Sequence, residues 1–218
     1  MKILSLFKKI YFRYIVRKKN VLKIVCGASN TRYSDWISLN VDVLDITKKN
    51  QFDFLFKKKS INNILLEHVI EHLTPDDFLN FLEIAKNYLK DGGAIRVAVP
   101  DKNHPSFYVR NLTGINGSEP GADDHKAFYN IDDFKEISAK IGYKLIPVEY
   151  FDNYGKFISN NPTFDNGYIS RCSKNYKGRF TDNKIEFNKL IESTSEENRE
   201  QFFLLGISYT SLFCDFYL

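Results

Sequence analysis

From Val21 onward the chain alternates short apolar runs with segments carrying helix start and stop signals, and few folds accept that rhythm. Val21 to Cys26 is the first run and closes at Gly27; Trp36 to Val41 is a second, Val43 to Ile46 a short third and Ile61 to Leu66 a fourth. Thr74-Pro75-Asp76-Asp77 then supplies an N-cap, a proline at the first helical position and acids in the first turn. The helix it opens, 75–90, places Phe78, Phe81, Leu82, Ala85 and Leu89 on one face and stops at Asp91-Gly92-Gly93. Ala94 to Val99 is a fifth strand ended by Pro100, Ile131 to Ile141 a helix ended by Gly142, and Tyr143 to Tyr150 a sixth strand. Strands alternating with helices predict an α/β fold, a doubly wound and mostly parallel sheet with helices on both faces. The β-like tail from Phe202 to Leu218 predicts an antiparallel C-terminal edge strand.

Two stretches leave the rhythm. Residues 105–129, with Gly114, Gly117, Pro120 and Gly121, are too long for an ordinary connection and read as a lid or binding loop. Residues 154–199 are polar, with a helix over 184–193, and Gly155, Gly167 and Gly178 mark turns there. Phe52, Phe54 and Phe56 read as packing residues, not as a base-stacking platform.

The charge is unevenly placed. The 218 residues carry 31 Lys and Arg against 27 Asp and Glu, a net of +4. Seven of the basic residues, and no acidic one, lie in residues 1–20, so residues 21–218 are mildly acidic. A body of that sign argues against a nucleic-acid-binding face. The leader, with Ile3, Phe7, Ile10 and Tyr14 at helical spacing and Lys2, Lys9, Arg13 and Arg17 toward the other side, reads as a basic amphipathic helix. It can rest on an anionic membrane surface or pack on the domain. Residues 21–218 form the domain itself. No stretch approaches the ~18 uninterrupted apolar residues of a membrane span. Cys26, Cys172 and Cys214 neither frame a disulfide scaffold nor show metal-binding spacing, which fits a cytoplasmic setting, at the inner face of the membrane if the leader binds lipid.

Ligands of doubly wound sheets bind beyond the carboxyl ends of the strands, near the point where the strand order reverses. That edge collects Cys26-Gly27-Ala28, Asn40, Asp42, Asp45, Glu67-His68, Asp101 and His104, and the long loop adds Asp123-Asp124-His125. All four histidines, His68, His72, His104 and His125, fall at or near it, and imidazole is the commonest general base at working pH. His68-Val69-Ile70-Glu71-His72 also matches the HxxEH pattern of inverted zinc peptidases, in which two histidines one helical turn apart hold the metal. Here it begins at a strand end and Thr74-Pro75 follows, against the long helix that such a site needs. The spacing requires no metal, although His68, Asp101 and His125 could share a divalent ion.

The ordered series Leu22-Lys23-Ile24-Val25-Cys26-Gly27, Trp36-Ile37-Ser38, Leu44-Asp45-Ile46-Thr47, Leu65-Leu66-Glu67-His68-Val69-Ile70-Glu71-His72, Leu89-Lys90-Asp91-Gly92-Gly93 and Val97-Ala98-Val99-Pro100-Asp101 resembles class I S-adenosylmethionine-dependent methyltransferases. It is closest to compact members with a shortened first helix, and Gly121-Ala122-Asp123-Asp124-His125-Lys126 and Gly167-Tyr168-Ile169 extend the likeness. The resemblance implies a Rossmann-like methyltransferase fold and S-adenosylmethionine as cofactor. It places Cys26, Gly27 and Ala28 against the methionine part, Asn40 or Asp42 on the ribose, Asp45 with Ile46 at the adenine, and Glu67 on the methyl-transfer side. His68 or His125 would be the general base, with Asp101 and Asp124 orienting a small-molecule or glycan-like acceptor for O-methylation. One glycine of the usual three remains, at Gly27, and Asn40 stands where a carboxylate is common. A binding or scaffold protein on the same fold is therefore an alternative, and a hydrolase using His68, Glu71 and His72 a more distant one.

Overall fold

The computed structural model describes residues 2–27, 32–160, 163–170, 188, 191–205 and 211–218. Seven strands, β1 (Lys23–Cys26), β2 (Trp36–Leu39), β3 (Ile61–Glu67), β4 (Leu89–Pro100), β5 (Lys144–Phe151), β6 (Phe157–Ser159) and β7 (Ser211–Tyr217), form one sheet in the order β2-β1-β3-β4-β7-β5-β6. The pairs β1/β2, β1/β3 and β3/β4 are parallel, whereas β7 is antiparallel to both β4 and β5, and β6 to β5. The expected C-terminal strand is thus present and antiparallel, but it is inserted between β4 and β5, and the edge beyond β5 belongs to antiparallel β6. Because the chain leaves β1 for β2 and returns on the other side as β3, the strand order reverses between β1 and β3. The carboxyl ends of those two strands are the place for a ligand.

Side-chain alternation sorts the strands into two faces. Ile24, Cys26, Ile64, Leu66, Ile95, Val97 and Val99 join one buried cluster with residues of α2 (Lys49–Leu55), α3 (Pro75–Lys86) and the later helix α5 (Ile131–Ile141). Phe52, Phe78, Phe81 and Phe134 are among its large rings, all with no exposed surface, and each contributes ~1.5–3 kcal/mol by burial. The opposite face holds Val25, Leu65, Ala98, Val148 and Phe213, with Ile169 from the strap 163–170. A third cluster joins Val109 of α4 (Phe107–Thr113) and Phe202 of α6 (Glu196–Leu205) to Phe151 and Phe157.

Capping follows the sequence closely. Thr74 Oγ1 accepts from Asp77 N at 3.1 Å to start α3; Asn130 and Asp133 form a reciprocal capping box on α5, and Gly142 ends it at φ +70. Three expectations change. Val43 to Ile46 is no strand, because the amides of Val43 and Leu44 both turn back to Asn40 O at 2.9 Å, although Val43, Leu44 and Ile46 are buried. The helix expected over 75–90 stops at Lys86, since Leu89 already pairs with Ile61; Gly92, at φ +74, and Gly93 sit in an irregular part of β4. Phe202 lies in helix α6, so among the described residues of the tail Ser211–Tyr217 form the strand, and 206–210 lie outside the described residues. Most of 184–193 lies outside the described residues.

The leader is helix α1 (Lys2–Lys18). Its last turns pack on the domain: Val16 is buried in the main cluster, Arg17 Nε and Nη2 donate to Leu55 O (3.2 Å) and Phe54 O (3.1 Å), and Arg13 lies over the Phe54 ring. Leu6, Phe7, Ile10, Tyr11 and Tyr14 remain exposed. No helix among the described residues is long and apolar enough to cross a membrane.

Arg96, in the middle of an apolar strand, is 1% exposed and directly opposite Asp215 of β7. Its Nε and Nη2 donate to the two Asp215 oxygens at 2.7 Å each, and Nη1 donates to Thr163 O (2.7 Å) and Gly167 O. Asp215→Ala should leave a buried, unpaired guanidinium and cost about 3–5 kcal/mol in chemical denaturation. The double variant Arg96→Met, Asp215→Leu should recover most of that loss, and a single-variant cost below ~1 kcal/mol would show the pair to be dispensable.

Candidate active site at the carboxyl edge of the sheet

Strand β1 ends in a turn that only glycine fits. Gly27 has φ +65, its amide donates to Leu39 O at 3.0 Å, and a Cβ there would stand 2.6 Å from Val69 Cγ2. Cys26 points its thiol into the main core, where burial pushes its pKa up to about 12, so only its backbone can serve the edge. Ala28 lies outside the described residues. Beyond β2, Asn40 holds its loop through its carbonyl, and Asp42 is ion-paired with Lys8 of α1. Asp45 Oδ1 accepts from Thr47 N (3.0 Å) and Thr47 Oγ1 (2.7 Å), while its own amide donates to Gln51 Oε1, which fixes the loop that buries Ile46.

The end of β3 carries the densest chemistry. Glu67 Oε1 accepts from both the amide and the hydroxyl of Ser170, at 2.6 Å each, tying the strap to the edge. His68 adopts φ +53 without being a glycine, a backbone cost of roughly 1–2 kcal/mol of the kind retained at working sites. Its amide donates to Ala98 O at 2.9 Å, and its Nδ1 lies 2.9 Å from Glu71 Oε1. Glu71 is 1% exposed, its Oε2 has no hydrogen-bond partner, and its carbonyl accepts from Lys126 N (2.7 Å) and Ala127 N (3.1 Å). That backbone clamp brings the long loop over the turn Ile70–His72. His72 Nδ1 lies 2.6 Å from Asp124 Oδ1, His125 Nδ1 donates to Thr113 O at 2.9 Å, and the two imidazoles meet edge to face at 4.7 Å.

The edge beyond β4 is different. Asp101, expected to orient an acceptor, is 3% exposed, and its oxygens accept from Asn103 N and Phe151 N at 2.8 Å each. It anchors the start of the long loop to the end of β5. Burial outweighs those two bonds and lifts its pKa to about 7. His104 packs on Phe151 and Phe202, its Nδ1 accepts from Ser106 N, and burial with Arg110 nearby lowers its pKa to about 3, so the ring is neutral with its proton on Nε2.

The structure therefore brings His68, Asp124 and His125 together with Glu71 and His72, and leaves Asp101 apart. The zinc-peptidase pattern is not realised, because His68 directly follows strand β3 and Ile70–His72 form a single 3₁₀ turn, so the two histidines do not share a helix face. Ser170 and Thr113 had no signal in the sequence, since a partner for a carboxylate or an imidazole can come from any loop.

No protein-family model matches this chain, and no curated protein does. Among solved structures, an S-adenosylmethionine-dependent methyltransferase from Archaeoglobus fulgidus is 12% identical, with 97% of this chain and 92% of that one covered at a TM-score of 0.45. A chain in the complex between the Haloferax volcanii Trm112 methyltransferase activator and its methyltransferase is 11% identical, with 94% and 87% covered at 0.47. Phosphoethanolamine N-methyltransferase 2 of Haemonchus contortus, bound to S-adenosyl-L-methionine, is 10% identical, with 96% of this chain and 51% of that one covered at 0.38. At these values the likeness transfers no activity, and the fold assignment rests on the strand order and directions themselves.

Asp101 gives a pH signature. A carboxyl whose folded pKa is raised contributes stability that is full below its unfolded value and is lost as pH rises through the folded value. Relative to Asp101→Asn, the wild type should lose stability between pH 3.8 and about 7, read from denaturation midpoints at several pH values. A difference that stays constant over that range would mean that Asp101 is ionised throughout.

Proposed function

We propose that the chain transfers a methyl group from S-adenosylmethionine to a hydroxyl of a small or glycan-like acceptor. The observation that carries this reading is the Gly27 turn at the strand-order reversal, a cradle a Cβ would fill, set beside Glu67 and a strained His68. When bound, the cofactor supplies a methyl already activated on a sulfonium. The protein has then only to align the acceptor and take its proton. The backbone of Cys26 and Gly27 approaches the methionine part, Asn40 and Asp42 serve the ribose, Asp45 and Ile46 border the adenine, and Glu67 flanks the transfer side. His68 is the proton acceptor: the Glu71 carboxylate on Nδ1 fixes the tautomer whose Nε2 is basic.

Isothermal calorimetry with S-adenosylmethionine and S-adenosylhomocysteine should give single-site binding. Gly27→Ala should weaken it at least tenfold through the strained φ and the clash with Val69. His68→Ala should lower turnover by roughly 10²–10⁴-fold with cofactor affinity retained. No heat from folded protein would overturn the reading and leave a binding protein on the same fold.

The exposed Leu6, Phe7, Ile10 and Tyr11 of α1, beside Lys8 and Lys9, support a site of action at an anionic lipid surface. Full-length protein should sediment with phosphatidylserine-containing liposomes, and Phe7→Glu with Tyr11→Glu should abolish this without changing the melting temperature. Equal sedimentation of wild type and variant would contradict it.

A further inference from the structure

Three side chains at the clamp between the 70–72 turn and the long loop are arranged as no catalytic role for His68 demands. One donor atom each from Glu71, His72 and His125 lies within 4.8 Å of the others. Two further observations bear on what such a cluster is for. Glu71 Oε2 is fully buried and lacks any hydrogen-bond partner, a costly state for a carboxylate oxygen unless something positive is at hand. Both imidazoles are also oriented through Nδ1, His72 by the Asp124 carboxylate and His125 by the Thr113 carbonyl, which turns Nε2 of each ring into the nitrogen available to a ligand. A carboxylate or backbone carbonyl on the far nitrogen is the outer-shell pattern of metal-bound histidines, fixing tautomer and ring plane.

We propose that Glu71, His72 and His125 form a binding site for a divalent transition cation of the zinc class. Two imidazole nitrogens and one carboxylate oxygen suit such an ion and disfavour magnesium or calcium, which take oxygen ligands. Bonds of about 2.0–2.2 Å hold tetrahedral donors roughly 3.3–3.6 Å apart, so from separations of up to 4.8 Å binding draws the three together by at most about 1.5 Å. His72, whose side chain is 33% exposed, can make that adjustment by rotation. Three protein ligands leave at least one position open to water or to an acceptor oxygen. Glu71 then bridges, with Oε1 on His68 and Oε2 on the cation, and the cation fastens the 113–127 segment over the edge. The site depends on these side chains alone and does not rest on the methyl-transfer reading.

The test uses the full-length, untagged protein, stripped with a chelator and titrated with Co²⁺ while the visible absorption bands are followed. One Co²⁺ per chain should bind, be displaced by Zn²⁺, and resist a large excess of Mg²⁺. His72→Ala and His125→Ala should each weaken Co²⁺ binding at least tenfold, and Asp124→Asn, which only orients His72, by about 10–100-fold. Because His125 is buried, its variant could lose the fold; His72→Ala, at a partly exposed side chain, then carries the test, with circular dichroism as the control. Absence of a Co²⁺ spectrum, equal affinity of wild type and His72→Ala, or equal competition by Mg²⁺ would overturn the assignment.

Discussion

The buried pair of Arg96 and Asp215 is the constraint on which much else depends. Two opposite charges stand across from one another on β4 and β7, in the middle of the sheet. An isolated charge at that depth is prohibitive, whereas a bidentate pair with its remaining donors satisfied is tolerable. The remaining donors reach Thr163 O and Gly167 O, and Asn166 adds a bond to Asp215 at 2.9 Å and one to Tyr217. The pair thereby does two things at once: it selects β7 as the antiparallel neighbour of β4, and it nails the strap 163–170 over the second face. Gly167, at φ +115 with a Cβ position 3.0 Å from Leu65, lets the strap lie that close.

The same strap delivers Ser170 to Glu67, so the edge where a ligand would bind is built from two directions. From the sheet come Gly27, Glu67 and His68 at adjacent strand ends. From the loops come Ser170, and Asp124 and His125 through the clamp of Lys126 N and Ala127 N on Glu71 O. Glu71 is the hub, because its carbonyl holds the loop, one oxygen orients His68, and its carboxylate lies close to the two remaining imidazoles. A buried carboxylate with that many duties explains why the short turn after β3 keeps its strained entry at His68.

Much of this was legible in the sequence where the signal is local. The Thr74 cap, the helix start at Ile131, the Gly142 stop and the apolar runs of β3 and β4 depend on neighbours a few residues away, and each is present in the structure. What failed depended on distant partners. Val43 to Ile46 has strand composition, yet Asn40 O captures two of its amides; Leu89 has helical spacing from Phe78, yet Ile61 claims it for a strand. Arg96 and Asp215 are opposite charges inside apolar strands, but nothing local says that they face each other 119 residues apart. The candidate site divides in the same way: the histidines stand out in the sequence by their place near the strand ends, whereas the contact of Asp101 with Phe151 N, Ser170 in the strap and Thr113 at the end of α4 are set by distant segments of no distinctive composition.

In the proposed reading the carboxyl edge of β1 and β3 holds the cofactor with its reacting end toward His68. A crystal structure of the protein with S-adenosylhomocysteine bound tests it most directly. The amino-acid part should lie over the backbone of Gly27 and the adenine beside Asp45 and Ile46, with the sulfur directed toward His68. Ligand density at any other surface, with the Gly27 turn left in contact only with solvent, would contradict it.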